Sequence, residues 1–163
     1  IEAFARLISE DQFSDFKLVI VGEGILENDH RDQCRKLNID KSVYFLGHLG
    51  RQEILPLYQS SELFVLSSIS EGFPKVLLEA IASGCKVVST DVGSVSKIMA
   101  GTSNELVPIK NSELLFQSIM LVLKNEYDNS LSDIKRKFTW KSVSKQYELE
   151  YKKAQPKEHK DKC

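Results

Sequence analysis

Several features that commonly announce a function are missing from this sequence of 163 residues. Neither sign of charge dominates. The 22 Lys and Arg residues face 23 Asp and Glu, and a net charge of -1 gives no reason to expect nucleic acid as a partner. Cysteine is scarce. Cys34, Cys85 and Cys163 are odd in number, far apart and without a C-x-x-C, which argues against a disulfide framework and a zinc site and favours reduced thiols. His30, His48 and His159 are scattered without metal-ligand spacing. No apolar run approaches the roughly 20 residues of a membrane span, and the opening residues do not read as a signal peptide. There is no internal repeat and no low-complexity block.

What is present is an ordinary globular balance, with 42% hydrophobic and 28% charged residues. A chain of this length can bury about 70% of the surface that it exposes when unfolded. Short β-branched runs punctuate it: KLVIVG (Lys17–Gly22), SVYFLG (Ser42–Gly47), LFVLSS (Leu63–Ser68), KVVSTD (Lys86–Asp91) and ELVPI (Glu105–Ile109). The first three are nearly continuous in apolar residues, the pattern of parallel strands covered on both faces. Between them Leu26–Leu37, Arg51–Ser60, Pro74–Ser83 and a short piece near Ser94–Ala100 have helical spacing. Asn111–Lys124 follows, with Asn111 and Ser112 as candidate caps. This alternation predicts an α/β fold, a doubly wound parallel sheet of Rossmann-like type.

Both ends depart from that plan. The chain opens in an amphipathic helix, IEAFARLISE, with no strand before it. FTWKSVSKQYELEYKKA reads as a closing helix over residues 138–153, and 154–163 as a charged tail with nothing to bury, expected to be disordered. One domain over residues 1–153 is therefore expected.

The stretch SEGFPKVLLEA, Ser70 to Ala80, holds the best candidate site. Pro74 suits the start of a helix and Gly84 the residue beyond its end. Val76, Leu77, Ala80 and Ile81 form one apolar stripe, with Leu78 and Ala82 on the other side. Lys75, Glu79 and Ser83 are left as a single narrow polar strip, so the helix should be buried nearly all round. Glu71 lies on the loop leaving the third run, at the strand end where open α/β sheets bind ligands. The free N–H groups of the helix start suit a phosphate, Gly72 permits close approach, and the two acids could accept from sugar hydroxyls. The plainer reading is an exposed Lys75–Glu79 pair at i,i+4 and a loop acid favoured by the helix dipole. Spacing alone leaves both readings open.

EGFPKVLLEAIASGCKVVSTDVGS closely resembles the E-x7-E region of the retaining, nucleotide-sugar-dependent glycosyltransferases of family 4, or group 1. IEAFARL, KLVIVGEG, VYFLGHL, ELFVLSS and ELVPI follow the family's order and spacing over roughly residues 1 to 153. The resemblance implies the C-terminal, donor-binding half of a two-domain GT-B-type fold. It implies that Glu79 binds the ribose of a UDP or GDP type of donor, and that Glu71, Gly72, Phe73, Pro74 and Lys75 meet the sugar and diphosphate. Gly47, His48 and Leu49 would lie near the base, His48 more plainly as a solvated loop residue. No catalytic residue is assigned. No cofactor or metal is implied, the diphosphate charge being met by backbone dipoles and basic side chains; the lack of a D-x-D motif agrees. The implied partners are a nucleotide-diphosphate sugar and a glycan or lipid-linked acceptor. The implied location is cytoplasmic, with peripheral association of the parent protein at the inner face of the cytoplasmic membrane allowed.

Several family features differ. The strand with a Gly-Arg turn and a Lys-Gly that usually precedes IEAF is not in this sequence, nor is an acceptor domain, so the 163-residue chain alone is expected to be inactive in transfer. The family's Gly-Gly after Asp-Val reads Gly93-Ser94, its Pro-Glu reads Ser96-Lys97 and its Asn-Gly reads Asn104-Glu105. In a 3-2-1-4-5-6 sheet, the runs KLVIVG and LFVLSS would then flank an empty central slot. Either the sequence is cut from a longer chain or another pairing closes the gap. A sugar-nucleotide epimerase of the same fold, and a non-catalytic interaction module, are the alternatives.

Overall fold

All five β-branched runs become strands in the computed structural model, which describes residues 1–100 and 104–124. They are β1 (Leu18–Ile20), β2 (Val43–Phe45), β3 (Leu63–Leu66), β4 (Lys86–Thr90) and β5 (Glu105–Val107). Helices α1 (Glu2–Leu7), α2 (Glu27–Lys36), α3 (Arg51–Ser60), α4 (Lys75–Ala82), α5 (Val95–Met99) and α6 (Ser112–Lys124) alternate with them. Single 3-10 turns at Asp11–Phe13 and Asp40–Ser42 lead into β1 and β2. The described residues fall in one unit, Ile1–Asn129. The closing helix expected over 138–153 and the tail expected over 154–163 lie outside the described residues.

Local chemistry sets the element ends. The Asn111 side chain accepts from the Leu114 N–H at 2.9 Å, capping α6 as expected. Glu53 closes a capping box on α3, its carboxylate accepting from the Gly50 N–H at 2.7 Å. Gly84 follows α4 with φ +91, a left-handed turn that suits glycine beyond a helix end. Pro74 stands just outside α4, which begins at Lys75, one residue later than the start expected from the sequence.

The strands are all parallel but form two sheets, β1-β2 and β3-β4-β5. Among the described residues β1 pairs only with β2, and β3 only with β4, so β1 and β3 are not hydrogen-bonded to each other. This is the arrangement left by a 3-2-1-4-5-6 order without its central strand. Among the described residues no other pairing closes the gap.

One core nonetheless joins the two sheets. Leu18 and Ile20 of β1, Val43 and Phe45 of β2, Leu63 and Val65 of β3, Val88 and Val107 share it with Phe4, Leu7, Cys34, Ile119 and Val122. The alternation of strand side chains puts these residues on one face, under α1, α2 and α6. On the opposite face Tyr58 of α3 meets Phe64 edge-on, ring centroids 5.6 Å apart, and Leu77, Ala80 and Ile81 of α4 are buried. Each fully buried Leu or Ile side chain contributes about 1.5–3 kcal/mol over its exposed state. That second face is not continuous. Val19 and Tyr44 remain 41% and 48% exposed, so β1 and β2 are covered on one side where the sequence suggested two. The helix α3 packs instead against α4, with Tyr58 on Phe64 of β3.

Candidate functional site

Parallel strands send all their following loops to one edge of a sheet, and the candidate residues collect there. The loop between β3 and α4, residues 67–74, carries Glu71, Gly72, Phe73 and Pro74. Lys75 is the first residue of α4. Glu79 lies one turn further, about 6 Å along the axis at 1.5 Å per residue.

Glu71 is half-buried and held in place. The Ser68 hydroxyl donates to one of its carboxylate oxygens at 2.7 Å. Gly72 is exposed, and the space where a side chain would project is open. Phe73 stands 52% exposed beside it. The amino end of α4 has no side-chain cap; the Leu77 N–H donates to the Pro74 carbonyl at 3.2 Å, and no side chain caps the N–H groups ahead of it, where the helix dipole is positive.

Glu79 is half-buried and Lys75 exposed. The plainer reading paired them, but they form no salt bridge; among the described residues the ion pairs are Arg6–Glu113, Arg31–Glu27 and Arg35–Asp32. Nor is α4 buried all round, because Val76 stands 37% exposed. The stripe that packs inward is narrower than the sequence implied, consisting of Leu77, Ala80 and Ile81.

A second loop, residues 91–94 after β4, locks the first. Thr90, the buried last residue of β4, donates its hydroxyl to the Ser68 carbonyl at 2.6 Å. The Ser94 hydroxyl donates to the Gly72 carbonyl at 2.9 Å. Between them Gly93 has φ +55, and a Cβ built on it would lie 2.9 Å from the Gly72 oxygen and closer still to the Glu71 oxygen. Only a residue without a side chain fits against that backbone. Sequence reasoning missed this clamp. The three-residue spacing of Ser68 and Glu71, and the serine standing where the family has a second glycine, were the available signals.

The loop after β2 is tied to a different partner. The Gly47 carbonyl accepts from the Gly22 N–H at 2.7 Å, and the His48 N–H donates to the Glu23 carboxylate at 3.4 Å. His48 is exposed and Leu49 half-buried. No hydrogen bond joins residues 47–49 to the Glu71–Glu79 segment among the described residues. The structure thus brings Glu71, Gly72, Phe73, Pro74, Lys75 and Glu79 together on one loop and helix, and leaves Gly47, His48 and Leu49 on the neighbouring sheet.

The Tyr58 hydroxyl is buried and has no hydrogen-bond partner among the described residues. Burial, with the Glu79 carboxylate as the second cause, pushes its pKa up to about 12. Burial likewise pushes the Cys85 thiol up to about 11. Both stay protonated at neutral pH and bring no charge to the site. Among the described residues no His, Cys, Asp and Glu side chains are grouped in threes as a metal site, and no helix is long and apolar enough to cross a membrane.

The comparisons with known proteins agree with one another. The family model described as Glycosyl transferases group 1 matches residues 1–138. An uncharacterised glycosyltransferase of Methanocaldococcus jannaschii is 32% identical over 143 residues, covering 83% of this chain and 37% of that protein. The N-acetylgalactosamine-N,N'-diacetylbacillosaminyl-diphospho-undecaprenol 4-alpha-N-acetylgalactosaminyltransferase of Campylobacter jejuni is 33% identical over 128 residues, 77% of this chain and 33% of the enzyme. The chain thus spans about a third of the length of these relatives. Among solved structures, a glycosyltransferase from Rickettsia africae superposes with a TM-score of 0.76 at 20% identity, over 93% of this chain and 42% of that one.

Proposed function

The chain belongs to the group 1 glycosyl transferases, and from that premise we propose that it forms the donor-binding half of a glycosyltransferase using a nucleotide-diphosphate sugar. The observation that carries the reading is the pairing of a fixed acid with an open helix end. Glu71 is oriented by Ser68 beside the start of α4, which no side chain caps, and Glu79 stands one turn along with no ion pair among the described residues. An acid at each side of an anion-binding helix end fits a ligand with hydroxyls at both ends and phosphates between. In this reading Glu79 accepts from the ribose, Glu71 accepts from the transferred sugar, and the backbone of Gly72, Phe73, Pro74 and Lys75 meets the diphosphate.

The diphosphate is the leaving group. Negative charge grows on it as the glycosidic bond to the sugar breaks, and N–H dipoles already aimed at that position stabilise the charge without rearranging. Lys75, exposed as the first residue of the same helix, brings a positive charge to that end. We take the transfer to be retaining and to need no metal. The acceptor is a glycan or lipid-linked sugar, a class to which the acceptor in the name of the Campylobacter jejuni relative belongs. A lipid-linked acceptor would place the whole protein at the inner face of the cytoplasmic membrane. Acceptor binding falls to the part of the protein beyond this chain.

The test is calorimetric titration of the full-length protein with UDP, GDP and their sugar conjugates. One nucleoside diphosphate should bind, more weakly in Glu79→Ala, while Glu71→Ala should lower affinity for the sugar conjugate only. Absence of binding to every nucleotide would refute the proposal.

A further inference from the structure

The Glu71 carboxylate ends a chain of hydrogen bonds that begins at a buried strand end. Thr90 is 4% exposed at the end of β4 and donates across to the Ser68 backbone carbonyl at 2.6 Å. That bond fixes where the Ser68 side chain starts. The Ser68 hydroxyl then donates to Glu71 Oε1 at 2.7 Å, in a partly buried position. It has no other hydrogen-bond partner among the described residues. A hydroxyl has one proton to give, and here the carboxylate takes it. One carboxylate oxygen takes that proton, and among the described residues the other has no hydrogen bond.

We propose that Ser68 is a positioning residue for the transferred sugar, holding Glu71 through its hydroxyl so that the second carboxylate oxygen accepts from a sugar hydroxyl. This rests on the donor reading above and adds to it a residue that touches no ligand. A charged acceptor held by a neutral donor forms a short, strong bond. Without it Glu71 must be ordered at the moment of binding, and that cost falls on the sugar alone. The nucleoside diphosphate, held by Glu79 and the start of α4, does not sense Ser68.

The experiment compares affinities of the full-length protein for UDP, GDP, UDP-glucose, UDP-N-acetylglucosamine and GDP-mannose. Four variants are measured: Ser68→Ala, Ser68→Thr, Glu71→Ala and the double variant Ser68→Ala/Glu71→Ala. Ser68→Ala is expected to weaken the preferred sugar conjugate about three- to tenfold and the bare diphosphate by less than about twofold, the size of one such hydrogen bond. Ser68→Thr, which keeps the hydroxyl, is expected to restore sugar affinity. In the Glu71→Ala background, Ser68→Ala should cost nothing more, since its effect runs through that carboxylate. The proposal is overturned if Ser68→Ala leaves the sugar conjugate unaffected, weakens both ligands alike, or adds a further loss without Glu71. Those outcomes, with nucleotide binding intact in the unaltered protein, spare the donor reading; no nucleotide binding at all removes both. Circular dichroism of each variant separates a folding defect from an altered site, and Ser68→Thr decides the matter if Ser68→Ala does not fold.

Discussion

Replacing Gly93 by alanine adds one methyl group where two loops touch. The backbone there has φ +55, and the new Cβ would sit 2.9 Å from the Gly72 oxygen and nearer still to the Glu71 oxygen. Holding alanine in the left-handed region costs about 1–2 kcal/mol. The methyl group also pushes the 67–74 loop away, which breaks the Ser94–Gly72 hydrogen bond at a cost of about 1 kcal/mol. The expected total is about 2–3 kcal/mol. At a urea slope near 2 kcal/mol/M, the unfolding midpoint should fall by about 1–1.5 M. Gly93→Asn separates the two terms, because asparagine tolerates the left-handed region but still carries a Cβ. It should regain about 1 kcal/mol of stability while leaving nucleotide-sugar affinity as poor as in Gly93→Ala. A Gly93→Ala protein with the midpoint and the affinity of the unaltered one would refute the clamp.

Leu77 is fully buried on α4, so Leu77→Ala should cost about 2–5 kcal/mol in urea unfolding through transfer and cavity terms. Asn111→Ala should cost about 1 kcal/mol in the same assay, through loss of the α6 cap. Stability should decline at alkaline pH. Burial raises Cys85 from 9.0 to about 11 and Tyr58 from 10.0 to about 12, so the folded chain keeps protons that the unfolded chain releases. Their contribution is whole below pH 9 and is lost as the pH rises towards 12. Tyr58→Phe should blunt the part of that decline above pH 10, and at neutral pH should be neutral or stabilising because it removes an unpartnered buried hydroxyl.

The order of elements was readable because each strand is a short β-branched run and each helix is bounded by chemistry of short range. Asn111, the Gly50–Glu53 box and Gly84 act within four residues of themselves, and the ends of α2 to α6 came within a residue of expectation, whereas α1 stops at Leu7, short of the ten residues its pattern suggested. The split between β1 and β3 was also foreseeable, from the sheet order that the family resemblance implied. What the sequence hid depends on contacts between segments distant along the chain. Thr90 reaching Ser68, Ser94 reaching Gly72 and Gly93 lying against Glu71 join residues about twenty positions apart, and no periodicity encodes them. The exposure of Val19 and Tyr44 was likewise hidden, since the apolar character of β1 and β2 does not fix which faces the helices cover. Of the candidate site, the placement of the six residues of the Glu71–Glu79 segment on one loop and helix was legible from their pattern and spacing. The residues that hold them were not.

A crystal structure of the full-length protein with its preferred nucleotide sugar tests the central claim most directly. The account predicts the diphosphate within hydrogen-bond reach of the backbone N–H groups of Gly72, Phe73 and Lys75, ribose hydroxyls on Glu79 and a sugar hydroxyl on the second oxygen of Glu71. A nucleotide bound elsewhere, with the start of α4 and both glutamates out of contact, would contradict it.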